Sequence, residues 1–303
     1  MFENSYFIHK INIILKMKLL GMEKTRYLFK FYYIGTEEYF GSQRQPNYLT
    51  IEACLISALQ EKNYIHEAKK SGFEVASRTD KFVSARGSTF SCITEKIPIL
   101  MEINSALPKN IGIWAYSKVP TDFLSRYNAQ FRHYKYIIPY PKDILKNDSK
   151  VNFKAMKKVS KALEGRHNFK NFSKQGKEKV KNIRDMISTS IKIEGNFIVF
   201  DFKSRAFLRQ QIRRMVAKIL EVGLDKISYE EFIDLFDPSK EISYQPAESF
   251  GLILWDINYG NNVSFVIDNK SKERRDKYFR EQEQKFALKK KLFNFMQHNN
   301  ISY

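Results

Sequence analysis

Residues 77–86 read Ser-Arg-Thr-Asp-Lys-Phe-Val-Ser-Ala-Arg and set one carboxylate, Asp80, among three cations, Arg78, Lys81 and Arg86. An arginine two residues before an acid keeps that acid ionised and leaves a guanidinium to engage a phosphate or a base. A charged carboxylate in such company suits chemistry on a nucleic acid. The same residues also describe a solvated loop with one ordinary ion pair. The spacing predicts this loop between a short helix and a strand from Ser88 to Ile93.

A second charged group stands out far along the chain. Arg213 falls on a predicted helix, 206–222, on the same side as Val216 and Leu220. A guanidinium emerging from an apolar helix face needs a carboxylate partner, or its desolvation is uncompensated; the alternative is an arginine snorkelling from the edge of the stripe. Arg209, one turn earlier, is placed to reach a phosphate. Tyr134 shares one face of a predicted strand with Arg132 and Tyr136. An aromatic there could floor a pocket for an everted base, or simply be a half-buried strand tyrosine.

Competing chemistries find few residues. The chain has no Gly-x-x-x-x-Gly-Lys, Cys-x-x-Cys or His-Glu-x-x-His. His9, His66, His133, His167 and His298 are scattered, against a histidine-rich metal site. Cys54 and Cys92 are far apart, which excludes a disulfide scaffold and fits a reducing compartment.

At 303 residues the chain can bury a large core, in one large or two medium domains. Lys and Arg number 52 against 33 Asp and Glu, for a net charge of +19. Such an excess favours counterion-releasing contacts with phosphates, or attraction to anionic lipid. Lys16 and Lys18 interrupt the apolar run 11–20, which is too short and too charged to span a bilayer. It also lacks the small-residue cleavage site of a secretory signal, so a cytoplasmic location is expected.

The elements that must hold these residues follow from periodicity. Residues 27–33 alternate as a strand, and a helix is expected from Thr50, as N-cap, to Glu61. Further strands are expected at 111–119 and 133–139. A boundary between two halves is expected at Pro139 to Lys142. A helix over 153–163 and strands near 183–194 and 197–203 precede the helix carrying Arg213. Strand and helix signals in both halves argue an α+β architecture. Residues 270–291 hold ten basic and four acidic side chains, with Phe279, Phe286 and Phe293 seven apart. They read as a basic helical tail resting an apolar stripe on the body or on a second subunit, or as a solvated extension.

Read together, ordered segments of this chain resemble a known family. Arg78-Thr79-Asp80-Lys81 with Val83-Ser84-Ala85 is similar to the Arg-Thr-Asp-Lys-Gly-Val-Ser-Ala signature of TruA-type tRNA pseudouridine synthases, in their archaeal and eukaryotic form. Tyr33-Ile34-Gly35-Thr36, Gly41-Ser42-Gln43 and Thr50-Ile51-Glu52 resemble the family's opening segments. Phe123–Ala129 with Arg132–Ile138 resembles its middle motif. Ala206-Phe207-Leu208 through Arg213 to Gly223 resembles its third, and Pro246-Ala247-Glu248 with Gly251-Leu252 its closing one. The likeness covers roughly residues 27–259. Residues 1–21 precede it and read as an over-extended start or a basic arm.

The resemblance implies the pseudouridine synthase fold: α+β, two α/β halves (22–140 and 141–260) with mainly antiparallel sheets around a central cleft, then the basic tail, 261–303. It implies an isomerase that turns uridine into pseudouridine in the anticodon stem-loop of tRNA, at positions 38 to 40. It implies action as a homodimer, with no cofactor and no metal. It maps the catalytic role onto Asp80, the carboxylate's partner onto Arg213 and the active-site tyrosine onto Tyr134. RNA contacts fall to Arg78, Lys81, Arg86, Arg132 and Arg209, and pocket walls to Phe82 and Leu252. Three positions depart from the pattern: Ile34 replaces an aspartate, Ser42 a tryptophan and Phe82 a glycine. If that glycine has positive φ, phenylalanine there is strained. Phe82 therefore motivates a second reading, a tRNA-binding or RNA-chaperone protein that has lost catalysis.

Overall fold

Strand β1 (Thr25–Tyr33) is buried at all nine positions, so its alternating pattern does not mark one wet face. It lies inside a sheet with packing on both sides. The computed structural model describes residues 23–139, 151–176 and 181–298. The leading segment and most of the expected boundary after Pro139 lie outside these residues.

Ten strands form one sheet. In chain order they are β1, β2 (Glu74–Val75), β3 (Ser84–Thr94), β4 (Ile111–Val119), β5 (Phe131–Pro139), β6 (Gly165–Asn168), β7 (Ile183–Glu194), β8 (Phe197–Ser204), β9 (Leu252–Asn258) and β10 (Val266–Ile267). Their order in space is β10-β4-β1-β3-β9-β5-β8-β7-β6, with β2 paired to β3. Every neighbour is antiparallel except β3 and β9. The α+β class holds, and the strands of both expected halves join in one continuous sheet. Its middle is β9, a late strand inserted between two early ones.

Six α-helices lie among the described residues: α1 (Ile51–Glu61), α2 (Leu100–Ser105), α3 (Phe153–Ala162), α4 (Gln211–Gly223), α5 (Tyr229–Asp234) and α6 (Asn269–His298). Thr50 caps α1, its hydroxyl accepting from Ala53 N–H at 3.3 Å. Met156, Val159 and Leu163 of the α3 segment are buried, the face the sequence spacing marked. The main core takes α1 to α5. A smaller cluster of Tyr32, Trp114 and Ala115 is covered by Tyr278 and Phe279 of α6.

Two expectations need correction. The short helix expected before the Asp80 loop is not formed: residues 66–72, between α1 and that loop, make turns, closed by Ser71 N–H to the Glu67 carbonyl at 3.0 Å. The helix bearing Arg213 begins at Gln211, five residues later than the spacing predicted. Gln210 has φ 59°, a left-handed conformation no helix interior tolerates. The buried Gln211 side chain accepts from Leu208 N–H at 2.8 Å and pins the preceding turn.

Candidate active site

The parallel pairing of β3 with β9 puts both strand beginnings at one end of the sheet: Ser84 faces Ile253 and Ala85 faces Leu254. The loop carrying Asp80 leads directly into β3, so it stands beside Leu252, where β9 starts. On the other side of β9, β5 sets Tyr134 opposite Leu254 and Tyr136 opposite Leu252. The central strands of the sheet thus gather residues from three distant segments.

Asp80 is reached from the facing helix. Arg213, in the first turn of α4, donates from Nη1 to Asp80 Oδ2 at 2.8 Å. Its Nε donates to the Ala247 carbonyl at 2.7 Å, and Ala247 N–H returns a bond to the Arg213 carbonyl at 3.1 Å. The guanidinium fork is therefore fixed at two points before it meets the carboxylate. The Arg213 side chain is 13% exposed and that of Asp80 35%. Asp80 is thus only half-buried and its carboxylate is open to solvent on one side.

Tyr134 is buried, and its hydroxyl shares a hydrogen bond with Ser77 Oγ at 2.9 Å. Phe207 meets its ring edge-on at 5.2 Å. Burial raises the phenol's pKa, the Ser77 bond and Arg132 oppose the rise, and the negative charge of Asp80 adds to it. Tyr134 is thus a neutral ring, close enough to Asp80 to feel its charge. Leu252 is buried beside it.

The loop that presents Asp80 is clamped by residues to which the sequence assigns no role in the site. Thr79 N–H donates to Ser42 Oγ at 2.7 Å and Ser42 N–H to the Thr79 carbonyl at 3.1 Å. The Thr79 hydroxyl shares a 2.7 Å bond with the buried Tyr33 hydroxyl. Their signal was present in the sequence, because Tyr33, Ser42 and Thr79 all sit in the quoted motif segments. Val83 N–H closes a turn on the Asp80 carbonyl at 3.3 Å, with Phe82 as third residue at φ 68°. A turn of this kind, type II, demands positive φ at that place, which is why glycine suits it. A Cβ on Gly35 would lie 2.4 Å from the Phe82 carbonyl carbon, so the opening segment needs its glycine to approach this turn.

The expected RNA contacts divide. Arg78 is exposed and makes no hydrogen bond or ion pair with the described residues. Arg209 is exposed in the turn before α4, not on the helix. Lys81 holds its ammonium over the Phe40 ring at 4.1 Å and the Phe82 ring at 5.0 Å. Arg86 lies over Trp255 at 4.6 Å. Arg132 is a correction: its guanidinium is buried and donates to the carbonyls of Arg205, Ala76 and Arg126 at 2.5, 2.8 and 2.8 Å. Its donors face backbone oxygens, so it is a tie between segments and not an RNA contact.

An arginine-held aspartate thus lies beside a buried tyrosine over the central strands of the sheet. A family model described as tRNA pseudouridine synthase matches residues 159–260. The chain is 32% identical over 249 residues to a tRNA pseudouridine synthase A of Methanosarcina mazei, covering 81% of this chain and 89% of that one. With the enzyme of that name from Archaeoglobus fulgidus it shares 35% identity over 245 residues, 80% of this chain and 87% of that one. For Pyrococcus furiosus the figures are 34% over 270 residues, 87% and 93%. The chain belongs to the tRNA pseudouridine synthase family, isomerases that convert uridine to pseudouridine in tRNA.

Proposed function

We propose that this chain isomerises uridine in the anticodon stem-loop of tRNA, at positions 38 to 40, with Asp80 as the acting carboxylate. The observation that carries the reading is the Arg213–Asp80 bond of 2.8 Å, which joins residues 133 apart beside the buried Tyr134. In the reaction the bond from ribose C1′ to uracil N1 breaks and one from C1′ to C5 forms. N1 ends with a proton, and the C5 hydrogen leaves as a proton to solvent. No cofactor enters this balance. The everted uridine sits with its sugar against Asp80 and its base along Tyr134 and Leu252, and Arg213 holds the carboxylate in place. Arg78, with no competing protein partner among the described residues, enters the space the base vacates or clamps its phosphate. The two free thiols fit a reducing, cytoplasmic setting, and the family resemblance favours a homodimer as the working unit.

The test is tritium release from tRNA labelled at uracil C5. Wild-type protein releases tritium, and Asp80→Ala and Asp80→Asn release none above background while binding the same tRNA within a few-fold of wild type. Turnover by either variant at the wild-type rate would remove Asp80 from the chemistry.

A further inference from the structure

Beside Asp80 the surface carries aromatic rings that neither the core nor the reaction uses. Phe40, Tyr48 and Leu49 are 40%, 50% and 50% exposed, in a loop whose other residues are polar apart from Gly41 and Pro46. Apolar side chains of this size gathered on one loop mark a contact surface more often than single exposed ones do. The Phe40 and Tyr48 rings lie 4.2 Å apart, tilted by 33°, so Phe40 backs one face of Tyr48. The loop's ends are drawn together by Phe40 N–H to the Leu49 carbonyl at 2.9 Å, and Gln45 Nε2 donates to the Phe40 carbonyl at 2.6 Å.

The cluster is coupled to the catalytic loop on both sides. The Lys81 ammonium, next in sequence to Asp80, sits 4.1 Å from the centre of the Phe40 ring. The following residue, Gly41, approaches so closely that a Cβ there would lie 2.9 Å from the Thr79 carbonyl oxygen and 3.5 Å from the Asp80 carbonyl carbon. Phe82, Lys81, Phe40 and Tyr48 therefore form one linked series, a cation between two phenylalanine rings with a tyrosine ring beyond. Stacking faces interleaved with a cation suit single-stranded nucleic acid, since every base has a π-face and every nucleotide a phosphate. A second protein surface would find the Lys81 ammonium beside the rings, in a chain of net charge +19, which favours a polyanion.

We infer that Tyr48, backed by Phe40, is a stacking platform for an unpaired RNA base flanking the target uridine, and that it sets which uridine is presented to Asp80. This rests on the function proposed above. Tyr48 is a positioning residue: it binds RNA outside the reacting nucleotide and touches none of the bonds that change.

The experiment measures steady-state tritium release and fluorescence anisotropy on one labelled anticodon stem-loop RNA, with wild-type, Tyr48→Ala and Tyr48→Phe proteins. Tyr48→Ala is expected to raise KM and Kd about tenfold, the size of one base–aromatic contact, with kcat within twofold. Tyr48→Phe keeps the ring and stays near wild type in both. An abasic nucleotide placed beside the target should weaken wild-type binding and leave Tyr48→Ala little further to lose. Unchanged Kd for Tyr48→Ala, or equal loss for Ala and Phe, overturns the platform. A change of oligomeric state in Tyr48→Ala by sedimentation, with Kd unaltered, overturns it too and assigns the rings to a protein contact. If wild-type protein releases no tritium, the proposed function fails while the anisotropy series still decides whether a base stacks on Tyr48.

Discussion

A guanidinium that serves two acceptors at once cannot be replaced by an ammonium. Arg213 uses Nε on the Ala247 carbonyl and Nη1 on Asp80, so its fork sets the direction of the carboxylate. Arg213→Lys is expected to lose at least a hundredfold in single-turnover rate, with folding stability reduced by only about 1–2 kcal/mol because Asp80 stays partly solvated. A lysine variant with wild-type turnover would mean that charge alone suffices. Behind Tyr134, on the opposite sheet face, Asp201 takes hydrogen bonds from His133 at 2.6 Å and Lys135 at 2.7 Å. Burial works against the Asp201 carboxylate, but those two donors prevail and lower its pKa to about 2. A depressed acid contributes stability above its unfolded pKa and loses it as pH falls towards the folded value. The contribution is about 2 kcal/mol, present above pH ~4 and fading between pH ~4 and ~2. Urea titrations of wild type and Asp201→Asn should therefore converge across that interval and stay apart at neutral pH.

Elements show where local preference was overruled. The turn from Asp80 to Val83 imposes φ 68° on Phe82, a conformation that costs a non-glycine residue about 1–2 kcal/mol. The surrounding clamp of Ser42, Thr79 and Tyr33 holds that strain in place. Phe82→Gly relieves it and Phe82→Ala does not, while both lose the ring under Lys81. Glycine is expected to be the more stable variant by about 1 kcal/mol in urea unfolding, the reverse of the usual order of the two residues. A less stable glycine variant would show the turn to be unstrained. Helix α6 divides in two. Asp268 accepts from Ser271 N–H at 2.7 Å at its start, and Phe279 meets Tyr32 edge-on at 5.2 Å. From residue 283 to 297 every side chain is exposed, Phe286 and Phe293 among them at 62% and 61%. The sequence's seven-residue phenylalanine stripe therefore rests on the body only at its first member. Removing residues 284–303 should leave the thermal midpoint within about 2 °C, whereas removal from Asn269 uncovers Tyr32 and Trp114 and lowers it by several degrees. Equal midpoints for the two truncations would contradict the role given to Tyr278 and Phe279.

The whole molecule is a single sheet whose central strand arrives late. Inserting β9 between β3 and β5 makes the end that carries Asp80 depend on pairing between residues more than 110 apart, such as Tyr134 with Leu254. Formation of the site is thus coupled to completion of the sheet. No helix among the described residues is long and apolar enough to cross a membrane. With 52 basic against 33 acidic residues, RNA affinity is expected to be dominated by phosphate contacts. Between 50 and 200 mM salt, six or more such contacts correspond to a loss of about a thousandfold in affinity. A flat response in an anisotropy titration would exclude them.

The residue types were decisive at the level of family and of individual elements. The Arg78–Ala85 motif, the Thr50 cap and the apolar spacing of 153–163 can be read off the chain because each is a local pattern. The strands at 111–119 and 183–194 fall where periodicity set them, for the same reason. Folding in three dimensions decided what local pattern cannot carry. Arg132 and Arg78 are alike as letters, yet one guanidinium is enclosed by three carbonyls and the other is exposed, because burial depends on which segments pack over a side chain. The bond from Arg213 to Asp80, and the clamp of Ser42 and Tyr33 on the loop that sets Phe82 at positive φ, likewise arise from contacts between segments that meet only when the sheet is complete.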